Sequence, residues 1–251
     1  MSAKKRFYKE VTTSQTDDGF LVHLDGRNLR SPAGTMVTLP TAELATAIAD
    51  EWTAQGDQIE PGTMPMFSLA VTVLDRVDTQ RDDLVEEMAA YGGNDLLCYR
   101  AEDDDLQARQ LDKWTPWLDW AKDNFDAPLA IGAGIMPVDQ PAASVSALQA
   151  AVDSHDNWEL GMLHRAVALG GSLILGLGFV RGQMDAQTLF ETAFLDELWQ
   201  VENWGSDWEA EDRRAAIVTD LNDASRFLNL KNGVAQPPLE PPVQSPPSEA
   251  G

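Results

Sequence analysis

The sequence predicts an α+β fold, in which a small antiparallel β-rich N-terminal domain precedes a multi-helix C-terminal domain and a disordered Pro-rich tail. Three observations carry this prediction. Short apolar runs alternate with turn signals up to about residue 40, apolar residues then recur at helical spacing, and the last twenty residues hold six of the fourteen prolines. We place the N-terminal domain at 1–80, with one or two helices, the helical domain at 81–231 and the tail at 232–251.

The first forty residues are predicted to form an antiparallel meander. Apolar residues suggest a first strand at 7–12 and a second at 20–24. Asp25-Gly26 is a strong hairpin signal, because a type I′ turn needs positive φ at both central residues. Residues 27–30 then pair back, and a further strand at 36–39 completes the meander.

A helical period begins after the meander. Thr41 is a good N-cap, and Leu44, Ile48 and Trp52 fall on one face of the helix that follows. We therefore expect Trp52 to pack this helix onto the meander or onto the helical domain. Further helical patterns lie at 67–91, 106–125 with a kink or restart at Pro116, 142–152, 158–169, 172–180, 185–204 and 208–230.

Composition excludes several classes of function. The chain carries 41 acidic residues against 18 lysines and arginines, for a net charge of −23, and so disfavours binding to nucleic acid or to anionic membranes. The longest uncharged apolar stretch, 166–180, is shorter than the roughly 20 residues of a membrane-spanning helix and contains four glycines. It predicts a buried helix with a bend.

The sequence also bears on the compartment. Cys98 is the single cysteine, which excludes an intramolecular disulfide and favours a reducing compartment. The basic residues 4–6 are followed by no apolar segment of a signal peptide. We therefore expect a bacterial, cytoplasmic protein, or a mitochondrial matrix protein only if a presequence was removed.

Two weak constellations would suit a small cytoplasmic enzyme. His155 and Glu159 lie four residues apart and could present two metal ligands on one helical face, but a catalytic metal normally needs three protein ligands. Cys98 could act as a nucleophile, but its apolar neighbours favour a buried thiol. The glycine clusters lack the Gly-Lys-Ser/Thr of a phosphate loop, so we expect no cofactor and no small-molecule substrate.

The segment 185–212 is the most informative one. It contains nine acidic residues and no lysine or arginine, with Trp199, Trp204 and Trp208 interleaved. On a continuous helix Glu197 falls on the apolar stripe and Asp196 falls off it. Because a carboxylate there is costly unless paired, either an arginine or a tryptophan N–H inside the protein meets Glu197, or a partner brings the counter-charge.

Several segments, in order along the chain, together resemble one family. They are Arg6-Phe7-Tyr8-Lys9, Leu24-Asp25-Gly26-Arg27, Asp50-Glu51-Trp52 with Gln55, Asp95-Leu96-Leu97-Cys98-Tyr99-Arg100 and Gln200-Val201-Glu202-Asn203-Trp204-Gly205. With these residues the chain, over about 6–228, resembles the ATP12-type chaperones, an ATP-synthase assembly family that binds the alpha subunit of the catalytic sector. We assign structural roles to Trp52 and Arg27, which lie in two of the segments.

The resemblance implies an ATP-independent chaperone rather than an enzyme. It implies binding of free alpha subunit and shielding of its subunit interface until the beta subunit joins. An acidic residue just before the Gln-x-x-x-Trp-Gly motif matters in the family, and it corresponds to Asp196 or Glu197. The expected partner-binding residues are Glu197, Asp196, Gln200, Trp204 and Trp199. The alternatives are the small enzyme and a structural interaction domain with a polyproline tail.

Overall fold

The N-terminal part folds as an antiparallel meander. The computed structural model describes residues 4–134 and 136–234. The strands of the meander are β2 (Val11–Thr16), β3 (Gly19–Leu24), β4 (Arg27–Asn28) and β5 (Thr38–Leu39), and a two-residue strand β1 (Lys4–Lys5) precedes them. Strand β3 pairs with β2, β4 and β5, with Val11 opposite Leu24 and Phe20 opposite Leu39.

The hairpin between β3 and β4 has the predicted turn. Asp25 and Gly26 both have positive φ, 49° and 73°, as a type I′ turn requires. The Asp25 carboxylate accepts hydrogen bonds from the backbone N–H groups of Lys9 and Glu10 at 3.0 and 2.9 Å. These bonds hold the pKa of Asp25 below its ordinary value. Arg27 follows on β4 with an exposed side chain, so it does not belong to the core.

Helix α1 (Ala42–Thr53) packs its apolar face on this sheet. The Thr41 hydroxyl caps it by accepting a hydrogen bond from the Leu44 N–H, as the sequence predicted. Trp52 is 6% exposed, and its ring meets Tyr8 and Phe67 edge to face at 5.5 and 5.1 Å between centroids. The Tyr8 hydroxyl donates to the Trp52 carbonyl at 2.6 Å. Trp52 therefore joins the N-terminal strands to the second helix.

The rest of the described chain is mainly helical. A π-helical turn (Val73–Val77) continues α2, and short pairs join β1 to β6 (Gln58–Ile59) and β7 (Tyr99–Arg100) to β8 (Gly132–Ala133). The helices are α2 (Pro65–Thr72), α3 (Arg81–Gly92), α4 (Asp104–Phe125), α5 (Ala142–Asp153), α6 (Asn157–Gly170), α7 (Leu173–Val180), α8 (Ala186–Ala193), α9 (Leu195–Trp204) and α10 (Trp208–Lys231).

Two predicted helices differ in the structure. The expected restart at Pro116 is absent from the described helix α4, which is continuous. Pro116 has no N–H, so the carbonyl of Asp112 loses its hydrogen-bond partner. The helix tolerates this loss because both residues lie on its exposed face. The single helix expected at 185–204 is instead two helices. Phe194 leaves the helical region of φ and ψ, at −99° and 19°, and its ring stacks on Phe190 at 4.8 Å. The helix axis therefore changes direction just before Asp196.

The apolar stretch 166–180 contains the predicted bend. Helix α6 ends at Gly170, Gly171 takes a left-handed φ of 68°, and the Ser172 hydroxyl caps the buried helix α7. Within the described residues, no helix combines the length and apolar character needed to cross a bilayer.

One buried cluster runs from Tyr8 to Leu230 across the boundary proposed at residue 80, and that boundary stays a prediction. Helix α10 packs against α1, α2, α6 and α8 and so contacts both parts of the chain. The predicted Pro-rich tail lies outside the described residues from position 235 onward.

Candidate functional site

Helix α9 is only partly covered by the rest of the described chain. All ten of its residues are described, and none of them is buried, whereas seven of the eight residues of α7 are. Leu195, Leu198 and Val201 are half-buried. An amphipathic helix normally buries its apolar stripe, so α9 presents apolar surface that the described part of the chain leaves partly uncovered.

A groove of about 840 Å³ separates α9 and α8 from α4. The floor is apolar, with Pro116 and Trp117 from α4 and Leu198 and Val201 from α9. Charged side chains stand at its edges: Arg109, Asp112, Lys113, Glu191 and Glu202. An apolar floor with a charged rim is the usual anatomy of a protein-binding site.

Ionic contacts hold the far end of α9 on α4. The Arg109 guanidinium lies 2.6 Å from the Glu202 carboxylate and 3.3 Å from Asp105. The hydrogen bond to Glu202 raises the pKa of Arg109. The Trp199 indole N–H donates to the same Asp105 oxygen, Oδ2, at 2.7 Å. Trp199 is thus fixed in place and half-buried.

Glu197 is paired inside the protein. Arg213 Nη2 lies 2.7 Å from both carboxylate oxygens of Glu197, and Arg214 Nη1 lies 3.0 Å from one of them. Both arginines come from the first turns of α10. Of the two possibilities left by the sequence, internal pairing is the one found, and Glu197 ties α9 to α10.

Asp196 faces a different neighbourhood. Its carboxylate accepts a hydrogen bond from Gln110 Nε2 at 2.7 Å, and the Gln110 carbonyl accepts from the Ala101 N–H. The charge of Asp196 also acts on Arg100, which is 4% exposed and lies over the Trp114 ring at 5.4 Å. Burial lowers the pKa of Arg100, and its Nε and Nη2 have no hydrogen-bond partner among the described residues. Asp196 therefore supplies negative potential to a buried cation.

Two tryptophans stand out at the turn between α9 and α10. Trp204 and Trp208 are 72% and 70% exposed, and Gly205 between them has a φ of 83°. Trp204 meets Trp199 edge to face at 5.2 Å. Gln200 is exposed on the same helix. Large exposed aromatic side chains bordered by acids are typical of interaction surfaces. Of these, Trp208 was not among the predicted binding residues.

The structure gives no support to the metal hypothesis. His155 Nδ1 lies 3.0 Å from Glu159 Oε2, as the spacing predicted, but the Lys231 ammonium lies 2.7 Å from the other oxygen of Glu159 and 2.6 Å from Asp156. The Lys231 ammonium thus occupies the position beside these carboxylates that a metal ion would need. No group of three metal-ligating residues forms within 4–134 and 136–234. The cluster fastens the end of α10 to the start of α6.

Cys98 lacks the surroundings of a nucleophile. Its side chain is buried, and burial raises the pKa of the thiol to about 12. A thiol with such a pKa is almost fully protonated at neutral pH and reacts slowly.

Comparison with known proteins agrees with this structure. The sequence profile of the ATP12 chaperone protein matches residues 5–122. The crystal structure of Atp12 from Paracoccus denitrificans superposes with a TM-score of 0.87, at 40% identity over 91% of this chain and 98% of the other. The chain belongs to the ATP12 chaperone family. The resemblance to ATP synthase assembly chaperones that the sequence indicated is thereby confirmed.

Two more relatives complete the comparison. A mutant of the Paracoccus protein, with one aspartate replaced by lysine, also superposes with a TM-score of 0.87, at 39% identity over the same shares of the two chains. The mitochondrial protein atp12 of Schizosaccharomyces pombe is 25% identical over 219 residues, which is 80% of this chain and 74% of that protein.

Several residues in the family-like segments have structural roles that sequence reasoning missed. The two oxygens of Glu51 accept the N–H groups of Met66 and Phe67 at 2.7 and 2.8 Å, at the start of α2. Asp95 is fully buried and accepts from the Ser172 hydroxyl and the Ile174 N–H at 2.8 and 3.1 Å, at the start of α7. The available signal was that each acid lies next to large apolar residues in the sequence, which indicates burial. A buried carboxylate needs hydrogen-bond donors, so partners of this kind were to be expected.

Proposed function

We propose that this chain is an ATP-independent assembly chaperone that binds free alpha subunit of the F-type ATP synthase catalytic sector. It shields the interface of that subunit until the beta subunit joins. Membership of the ATP12 family supports this proposal. The observation that carries it is helix α9, which has no buried residue along its described length and ends at the exposed Trp204, close to the exposed Trp208 at the start of α10.

The chemistry of this surface suits a chaperone that must release its client. Trp199, Trp204 and Trp208 offer rigid aromatic anchors, and large anchors of this kind dominate binding energy. The acidic side chains around them keep the surface hydrated in the absence of a client. The net charge of −23 also favours encounter with a basic surface and repels other copies of the chain.

Within this proposal the predicted residues act in two ways. Trp199, Gln200 and Trp204 contact the client directly. Asp196 and Glu197 orient α9 through Gln110 and the α10 arginines, so their replacement moves the helix rather than deleting a contact. We also propose a bacterial cytoplasmic location, supported by the lone buried thiol and by the likeness to a bacterial protein.

The test is capture of purified alpha subunit by immobilised chain. Replacing Trp204 and Trp208 together by alanine is expected to weaken capture at least about thirtyfold, because two aromatic anchors are lost. Met136→Ala is the matched control, since Met136 is equally exposed, at 72%, but lies outside this surface. Capture by the double variant at wild-type affinity would show that the client binds elsewhere.

A further inference from the structure

A second groove lies in the N-terminal part of the chain. It has a volume of about 850 Å³ and is bounded by the meander, the end of α1 and the start of α2. Its walls are largely aromatic and prolyl, with Phe7, Tyr8, Pro32, Trp52, Pro61 and Phe67. We call it the N-terminal groove.

The charge of this groove runs against that of the whole protein. Residues 1–40 contain six lysines and arginines and four acids, whereas the remaining 211 residues contain twelve and 37. Arg27 and Arg30 line the groove, and neither forms an ion pair with any described residue. Within the described chain, Arg30 donates only to the Gly34 carbonyl, at 2.7 Å.

Other charges near the groove are already engaged. Asp25 is the one carboxylate among the described residues that line it, and two backbone N–H groups occupy one of its oxygens. Arg6 adds positive charge nearby, with its guanidinium 4.7 Å from the centre of the Tyr8 ring. Arginine side chains therefore outnumber carboxylates at the groove, although the charge of Arg27 also acts on Asp25, and Arg27 and Arg30 both have unused donors.

A buried donor in the wall also lacks a partner. Trp52 lines the groove with 6% of its surface exposed, and its indole N–H makes no hydrogen bond to any described residue. A buried N–H without an acceptor is costly, and it is usually explained by a ligand, a water molecule or a moving part. Together with the two arginines it gives the lining of the groove donors that suit an acceptor-rich, anionic occupant.

We propose that the N-terminal groove binds an extended acidic segment of a partner protein. An apolar side chain of the segment enters between the aromatic walls, a backbone carbonyl accepts from the Trp52 indole after a small shift of the neighbouring rings, and flanking carboxylates pair with Arg27 and Arg30. A peptide fits better than a nucleotide, because the arginines are exposed on a hairpin and no glycine-rich phosphate loop lines the groove in the described chain. Membership of a chaperone family favours a protein partner.

The test uses two fluorescein-labelled peptides that differ only in charge, Gly-Glu-Glu-Leu-Phe-Glu-Glu-Gly and its counterpart with glutamine in place of glutamate. The acidic peptide is expected to bind more tightly, although the protein as a whole repels it. The double variant Arg27→Glu with Arg30→Glu is expected to weaken its binding at least about tenfold by fluorescence anisotropy. Arg27→Gln with Arg30→Gln provides a milder variant with an intermediate loss.

The matched control is Arg76→Glu with Lys122→Glu, which changes the net charge equally at two exposed positions outside the groove. It is expected to bind within twofold of the wild type. The Trp52 indole N–H resonance, assigned with Trp52→Phe, is expected to shift on addition of the acidic peptide. This test involves neither alpha subunit nor α9, so its outcome is separate from that of the proposed function.

Four results would overturn the proposal. They are absence of binding by the wild type, equal binding by the arginine and control variants, equal binding of the glutamine peptide, and displacement of the acidic peptide by inorganic phosphate at constant ionic strength. The last result would identify a simple anion site.

Discussion

Glu51 makes the stability of this protein depend on pH in an unusual direction. Its carboxylate is buried and receives two backbone N–H bonds at the start of α2, yet burial outweighs those bonds and raises its pKa to about 7. The charges of Arg226 and Asp223 on α10 act on it in opposite directions. The folded chain therefore binds this proton more tightly than the unfolded chain does.

The sign of the effect follows from linkage. The stabilising contribution of protonated Glu51 is complete below the unfolded pKa of about 4.5 and is lost as pH rises through the folded pKa of about 7. A shift of that size corresponds to roughly 3 kcal/mol in the free energy of unfolding. Glutamine cannot ionise, but its amide can accept only one of the two N–H bonds, at a cost of about 1–3 kcal/mol.

The stability of Glu51→Gln relative to the wild type is thus expected to rise by about 2 kcal/mol between pH 5.5 and pH 8, because only the wild type loses the contribution of the protonated carboxyl over that range. Urea unfolding of both proteins across this range measures the difference, and other carboxylates cancel because the two chains share them. Asp50→Asn is the control. Asp50 is adjacent to Glu51 but exposed, so the difference in stability between this variant and the wild type should not change with pH. A Glu51→Gln difference that stays constant across the range would refute the reasoning.

Three further expectations concern the remaining predicted residues. Trp52→Arg should lower the free energy of unfolding by about 3–5 kcal/mol, because it places a cation among buried rings; a normal urea midpoint would contradict this. Glu197→Lys should cost about 1–2 kcal/mol by setting a third cation against Arg213 and Arg214, and thermal unfolding would show no change if the pair were unimportant. Cys98 should react with a thiol reagent only after unfolding, because its thiol is buried and protonated. Rapid labelling of the native chain at pH 8 would support the hypothesis that Cys98 is a nucleophile.

Local signals predicted the elements that local chemistry determines. The Asp25-Gly26 hairpin and the Thr41 cap depend on residues a few positions apart. The bend at Gly171 and the burial of Trp52 likewise follow from patterns within one segment. These features could be read because the backbone requirement and the residue that meets it are neighbours in the chain.

The candidate site could be predicted only in part. The acidic segment with tryptophans pointed to α9, but the break at Phe194 depends on packing and invalidated the stripe drawn on a continuous helix. The partners of Glu197 lie sixteen residues away or more, and the groove also needs Trp117 of α4, which is distant from α9 in the sequence. Contacts between distant segments leave no periodic signal.

Hydrogen exchange of the chain with and without alpha subunit tests the central claim most directly. The account predicts that residues 195–208, none of which is buried in the free protein, gain protection in the complex, and that the Trp204→Ala, Trp208→Ala double variant loses it. Residues 142–153 of α5, which do not line the groove beside α9, should be unchanged. A stable complex in which 195–208 exchange as fast as in the free chain would contradict the assignment of α9 as the client-binding surface.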